Sequence, residues 1–138
     1  MRAHIKAISY YLPEKVLTNA DLCNIFPDLS ENDIIARTGI RQRFISAPLE
    51  IGSDVACASA ELFFKEHNIS KEDIDFLIFC TEGLDYAAPA TACIIQNKIG
   101  LPKTCGAIDI PLGCTGFVYG LSLAKALVES GQAKNVLL

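Results

Sequence analysis

The stretch Ile108-Asp109-Ile110-Pro111-Leu112-Gly113-Cys114-Thr115-Gly116-Phe117 constrains the fold of this chain more than any other. An apolar run of strand length meets a proline and a glycine, and a long apolar segment follows it up to Ser130-Gly131. This reads as a buried strand, a tight turn and a helix, with Gly113 or Cys114 opening the longest helix of the chain. Cys114 is therefore expected at or next to a helix N-terminus, where unpaired N–H groups and the helix dipole favour negative charge. The thiolate is the form of cysteine that attacks carbonyls and thioesters. The flanking glycines let the backbone turn sharply and let a substrate come close to the sulfur.

The remaining pattern supplies the frame for that turn. Ile5 to Tyr11 is expected to be a first strand, ended by Leu12-Pro13-Glu14. Thr18-Asn19 caps a short helix from Ala20 to Phe26. Ser30, with Asp33 three residues on, opens a second helix that stops at Gly39. Arg41 to Ile45 alternates weakly, as an edge strand does. Ser53-Asp54 starts a longer helix with Val55, Ala58, Leu62 and Phe63 on its apolar face, ending near His67-Asn68. Asp75 to Thr81 is a continuous apolar run, the mark of a strand buried on both faces. Pro89 opens a helix running to Lys98 and closed by Gly100; Cys105 to Ile110 and Asn135 to Leu138 are further strands. Strands and helices alternate, so the fold class is α/β, with a mainly parallel sheet covered by helices on both faces. Active sites in such sheets lie beyond the carboxyl ends of the strands. Cys114 follows one strand and Glu82 follows another, so two strand ends direct polar chemistry to one rim.

Composition excludes several classes of function. The 138 residues suffice for a single domain, 1–138, and 51% of them are hydrophobic, which rules out a disordered chain. A net charge of -4 argues against a nucleic-acid partner. The longest uncharged run, Ile110 to Ala124, is too short for a bilayer span and holds a proline, so no membrane partner is expected. The charged start Met1-Arg2-Ala3-His4-Ile5-Lys6 lacks a signal-peptide core, and the expected localisation is cytoplasmic. Six cysteines (Cys23, Cys57, Cys80, Cys93, Cys105 and Cys114) form no C-x-x-C pair, so no metal is expected and most should be reduced core residues.

Four segments together resemble the beta-ketoacyl-ACP synthase III family of the thiolase-like superfamily. They are Ser9-Tyr10-Tyr11-Leu12-Pro13-Glu14 with Thr18-Asn19-Ala20-Asp21-Leu22; Arg37-Thr38-Gly39-Ile40-Arg41-Gln42-Arg43; Pro89-Ala90-Thr91-Ala92-Cys93 leading to Gln96 and Ile99-Gly100; and the stretch Asp109 to Phe117. They occur in the family's order and spread over the whole chain. The resemblance implies a thiolase-like half with the C-terminal half absent, the acyl-accepting half of a homodimeric 3-oxoacyl-ACP synthase III-like transferase of fatty acid biosynthesis. It implies acyl transfer to Cys114, whose backbone N–H forms part of an oxyanion hole, then decarboxylative Claisen condensation with a malonyl thioester. Acyl-CoA or acyl-carrier-protein thioesters are then the substrates, with no tightly bound cofactor, and acyl carrier protein is a partner. The family's catalytic His and Asn come from its second half; His4 and His67 match neither, so this chain alone is expected to be inactive.

Arg37 matches a cofactor contact of the family and can grip phosphate through its planar fork. Arg41 and Arg43 are expected to be solvated surface charges. Members that use CoA primers commonly carry a tryptophan shortly before the Arg-Thr-Gly-Ile motif; Asp33 stands there and the chain has no Trp, which favours a carrier-protein-linked primer. Ala88 stands where some relatives place a bulky aromatic, which implies a wider acyl tunnel and a longer or branched primer. Glu82, in a Thr-Glu context, resembles the general acid/base of HMG-CoA synthase in the same superfamily. The alternatives are an HMG-CoA-synthase-like or other thiolase-superfamily condensing enzyme, or a non-catalytic dimer-forming domain.

Overall fold

The computed structural model describes residues 2–138. Residue contacts divide the chain into two compact units: the N-terminal residues up to Tyr11 together with Ile51–Leu138, and Leu12–Glu50.

In the smaller unit, strand β1 (Lys15–Thr18) pairs antiparallel with β2 (Gln42–Ile45), Lys15 opposite Ile45 and Thr18 opposite Gln42. Helix α1 (Asn19–Ile25) begins in a capping box. The Thr18 hydroxyl accepts from the Asp21 N–H at 3.1 Å, and the Asp21 carboxylate accepts from the Thr18 N–H at 2.9 Å. Helix α2 (Glu31–Thr38) is opened by Ser30, whose hydroxyl accepts from the Asp33 N–H at 3.1 Å, and stops at Gly39, whose φ of +71° a side chain would strain. The weak alternation of Arg41 to Ile45 is thus a strand, and its partner β1 is one that the sequence pattern did not announce.

The larger unit is built on a three-stranded parallel sheet in the order β4-β3-β5, with β3 (Phe76–Cys80) between β4 (Gly106–Ile110) and β5 (Val136–Leu137). Successive residues of β3 face opposite sides. Leu77 and Phe79 join the core formed with α3 (Gly52–His67) and α4 (Thr91–Lys98). Cys80 packs against Gly116 of α5 (Gly116–Glu129), and Ile78, 1% exposed, shares that side by alternation. Helices therefore cover both faces of the sheet, as the unbroken apolar run requires.

Asp109 ties the sheet to α4. Its carboxylate accepts from the backbone N–H groups of Thr91 and Ala92, each at 2.7 Å, and so caps a helix whose own N-cap, Ala90, has no side-chain oxygen. The Gln96 amide donates to the carbonyls of Pro102 (3.0 Å) and Cys105 (2.7 Å), fixing the loop that leads into β4.

Several expectations are corrected. Residues 5–11 pair with no strand among the described residues. Ala7, Ser9 and Tyr11 are half-buried while Ile8 and Tyr10 are exposed, so the side chains alternate without a ladder. Alternation reports which face is covered and says nothing of a hydrogen-bonding neighbour. The longest helix is α3, with 16 residues against 14 for α5. Its most buried residues are Ser53, Ala60 and Phe64, with Phe63 packed against the core and Val55, Ala58 and Leu62 half-buried. The cysteines are all free, but only Cys105 is buried; Cys93 and Cys114 are exposed and the other three half-buried. No helix among the described residues is long and apolar enough to cross a membrane.

Candidate functional site

The carboxyl ends of β3 and β4 lie side by side, because Cys80 is in register with Ile110 and the Thr81 N–H donates to the Ile110 carbonyl at 3.1 Å. The chain leaves β4 through Pro111-Leu112 into the turn that carries Cys114. The Gly116 N–H donates to the Gly113 carbonyl at 2.8 Å, Thr115 is the N-cap, and α5 begins at Gly116. Cys114 thus stands two residues before the helix, where Gly113 or Cys114 itself was expected to begin it. The helix opens with no side-chain cap hydrogen bond, and the thiol is exposed.

The glycines of this segment are required by space. A Cβ on Gly116 would overlap the Cys80 sulfur and crowd Leu112, and one on Gly120 would overlap Leu138. These two positions bring the first turns of α5 close to the end of β3 and to the chain beyond β5. A Cβ on Gly113 would overlap the Glu82 carboxyl group. The Glu82 side chain therefore lies against the residue that precedes Cys114, and the structure brings these two candidates together. Glu82 reaches this place through a turn in which the Gly83 N–H donates to the Thr81 hydroxyl at 3.1 Å. Glu82 itself is exposed.

Arg37 belongs to the smaller unit. It lines a groove of about 340 Å³ walled by Leu22, Phe26 and Ile34, with Asp33 and Arg43 also in the lining. Arg43 departs from the expectation of a solvated charge: it is half-buried, and its Nη1 donates to Asn19 Oδ1 at 2.9 Å. Arg41 is exposed, as expected. Both histidines stay outside the rim chemistry. His4 is exposed, and His67, in the last turn of α3, lies 3.3 Å from the Ile8 carbonyl and 3.1 Å from the Ser9 hydroxyl. No group of His, Cys, Asp and Glu among the described residues is arranged to hold a metal ion.

A family profile described as 3-oxoacyl-(acyl-carrier-protein) synthase III matches residues 108–138, the segment that contains the end of β4, the Cys114 turn, α5 and β5. A beta-ketoacyl-(acyl-carrier-protein) synthase III of Sulfurovum sp. (strain NBC37-1) is 44% identical over 137 residues, covering 99% of this chain. The chain is similar to 3-oxoacyl-(acyl-carrier-protein) synthase III proteins along nearly its whole length. It spans 40% of the length of that relative. A crystal structure of a 3-oxoacyl-(acyl-carrier-protein) synthase III superposes with a TM-score of 0.90 at 47% identity, over 96% of this chain and 40% of the other. The synthase III of Thermus thermophilus superposes with a TM-score of 0.87 at 38% identity, over 97% of this chain and 41% of the other. The fold is accordingly thiolase-like, as the four sequence segments implied.

The thiols of this synthase III-like chain differ in environment, and alkylation reads the difference. Loss of solvation on burial pushes the Cys57 and Cys105 thiols up from their ordinary range. At neutral pH, iodoacetamide is expected to modify exposed Cys114 well before either of them. Raising the pH speeds Cys57 and Cys105 only above the range of a free thiol. Time-resolved peptide mass analysis checks the order; equal labelling of Cys114 and Cys105 contradicts it.

Proposed function

We propose that this chain is the acyl-accepting part of a 3-oxoacyl-(acyl-carrier-protein) synthase III-like condensing enzyme, its two compact units forming one N-terminal thiolase-like domain. The observation that carries the reading is an exposed thiol on a glycine-flanked turn at the carboxyl end of β4, two residues ahead of α5. The Cys114 thiolate attacks the carbonyl of an acyl thioester. A new C–S bond forms at Cys114, the bond to the carrier sulfur breaks, and the departing thiolate takes up the proton that Cys114 gave up. Backbone N–H groups of the turn, that of Cys114 among them, stabilise the oxyanion. In the second half-reaction a malonyl thioester loses carbon dioxide, the enolate carbon left behind attacks the acyl-Cys114 carbonyl, and the C–S bond breaks to release the 3-oxoacyl product and the Cys114 thiolate, which solvent can reprotonate. The His and Asn that assist decarboxylation come from sequence outside this chain. Acyl carrier protein is the partner, Arg37 a contact to the thioester carrier, the assembly a homodimer, and the setting cytoplasmic fatty acid synthesis. Ala88 suits a longer or branched primer.

A second reading is favoured by one observation. The Glu82 carboxyl group lies against Gly113, within one residue of the nucleophile, where a carboxylate can accept a proton from a carbon acid, as the resemblance to HMG-CoA synthase suggests. Mass analysis of the whole protein after incubation with an acyl thioester tests the main reading. The acyl mass is expected on the peptide containing Cys114; its appearance on another cysteine, or on none, overturns the assignment.

A further inference from the structure

The loop that follows β3 is tied down at both ends of a short span. At its start the Thr81 N–H donates to the Ile110 carbonyl at 3.1 Å. Further on, half-buried Asp85 bonds to two different helices. Its Oδ1 accepts from the Ser53 N–H in the first turn of α3 at 3.3 Å, and its own N–H donates to the hydroxyl of Thr91, which opens α4, at 3.2 Å. Ser53 and Thr91 are both 0% exposed, so water does not compete for these bonds. Ile51, the N-cap of α3, makes no side-chain hydrogen bond; Asp85 supplies the cap from a distant part of the chain, as Asp109 does for α4. Asp85 Oδ2 is buried and meets no donor among the described residues, so the tie to α3 uses Oδ1 alone. Between the two anchors lie only Glu82, Gly83 and Leu84. Gly83 is the permissive point of that span, since a Cβ there would meet nothing within 4 Å.

We propose that Asp85 is a positioning residue of the rim: by pinning the loop to α3 and α4 it sets the backbone from which the Glu82 side chain reaches Gly113, beside Cys114. This deepens the function proposed above and rests on it, with Cys114 as the acyl acceptor and Glu82 as the proton acceptor next to it. A group that takes a proton from a carbon acid must stand within hydrogen-bond reach of it. An exposed side chain meets that demand only from a fixed backbone, and without the second anchor the span is free to turn at Gly83. Thr91 joins this device to the other strand end. Its hydroxyl accepts from the Asp85 N–H while its own N–H donates to Asp109, the residue before the last of β4. The loop after β3 and the turn after β4 are therefore placed relative to each other through the first residue of α4.

Paired alkylation of Cys114 in the whole protein reads this placement without turnover. Iodoacetate carries a negative charge and iodoacetamide none, so the ratio of their rates at low salt reports a carboxylate beside the thiol. Glu82→Gln is expected to raise the relative rate of iodoacetate about threefold, the effect of removing one nearby charge in water. Asp85→Ala should give most of the same rise, and should add nothing in the Glu82→Gln background. Asp85→Asn removes the charge of Asp85 but keeps the oxygen that accepts from Ser53, and should stay at the wild-type ratio. Asp54→Ala disturbs the same turn of α3 by breaking the bond from the Ile51 N–H and the ion pair with Lys98, and it too should leave the ratio unchanged. If Asp85→Ala does not fold, Thr91→Val removes the tie to α4 and should give a partial rise. An unchanged ratio in the folded variant of these two overturns the proposal. So does a full rise in Asp85→Asn or Asp54→Ala, or no rise in Glu82→Gln. Acyl transfer to Cys114 is measured separately, and its absence alongside the expected ratios counts against the function, not against the role of Asp85.

Discussion

Replacing Cys114 by serine in the whole protein is expected to abolish the proposed acyl transfer. The expected loss is at least about a thousandfold, or roughly 4 kcal/mol of transition-state stabilisation. A serine hydroxyl is almost wholly protonated at neutral pH and needs a base beside it to attack a thioester. Among the described residues no imidazole stands beside the turn, since His67 is engaged with Ile8 and Ser9 at the far end of α3 and His4 is on the N-terminal segment. Nor does Cys80 offer a substitute thiol, being packed behind Gly116. The readout is the rate of acyl incorporation, with a thermal scan to show that Cys114→Ser is folded. Incorporation at the wild-type rate would move the nucleophile elsewhere.

Asp109→Ala is expected to be the most destabilising substitution in the rim, by about 3–5 kcal/mol. The two N–H groups it caps belong to Thr91 and Ala92, both 0% exposed, so no water can take over the bonds. Each bond is short and charge-assisted, and deleting the acceptor leaves two buried donors unpaired. Asp109→Asn keeps one acceptor oxygen but turns an N–H toward the second donor, and should lose about half as much. Urea unfolding measures both, and the thermal midpoint of Asp109→Ala should fall by more than about 10 °C. A loss below about 1 kcal/mol would show that α4 is capped in some other way.

Much of the larger unit was legible in the sequence because its elements are self-announcing. The run from Asp75 to Thr81 has one plausible state, and Asn68 ends its helix in a left-handed conformation, as its position suggested; Gly39 does the same in the smaller unit. Cys114 stood out because a turn between an apolar strand and an apolar helix leaves few roles for a thiol. What escaped were contacts between residues far apart in sequence. Asp109 read as a strand residue, and only the packing of β4 against α4 makes it a helix cap. Arg43 read as one of several surface cations, until Asn19, 24 positions away, drew it in. Residues 5–11 show the converse case. Their alternation was real, but a ladder also needs a neighbouring strand, and no pattern within a segment can report one.

The glycines at 113, 116 and 120 carry a consequence for how this chain tolerates change. Each marks a place where a side chain would collide with a named neighbour: Glu82, Cys80 or Leu138. A library of single substitutions scored for folding and acyl transfer would therefore show three narrow gaps at intervals of three and four. The gap at 113 should be the shallowest, because the flexible Glu82 side chain can swing aside. The gap at 116 should be the deepest, because the Cys80 sulfur it meets sits on a short side chain at the end of β3, whereas Leu138 opposite 120 can also shift. The location of the proposed acyl acceptor would be recorded in such a library as much by the side chains that cannot be added around Cys114 as by the sulfur itself.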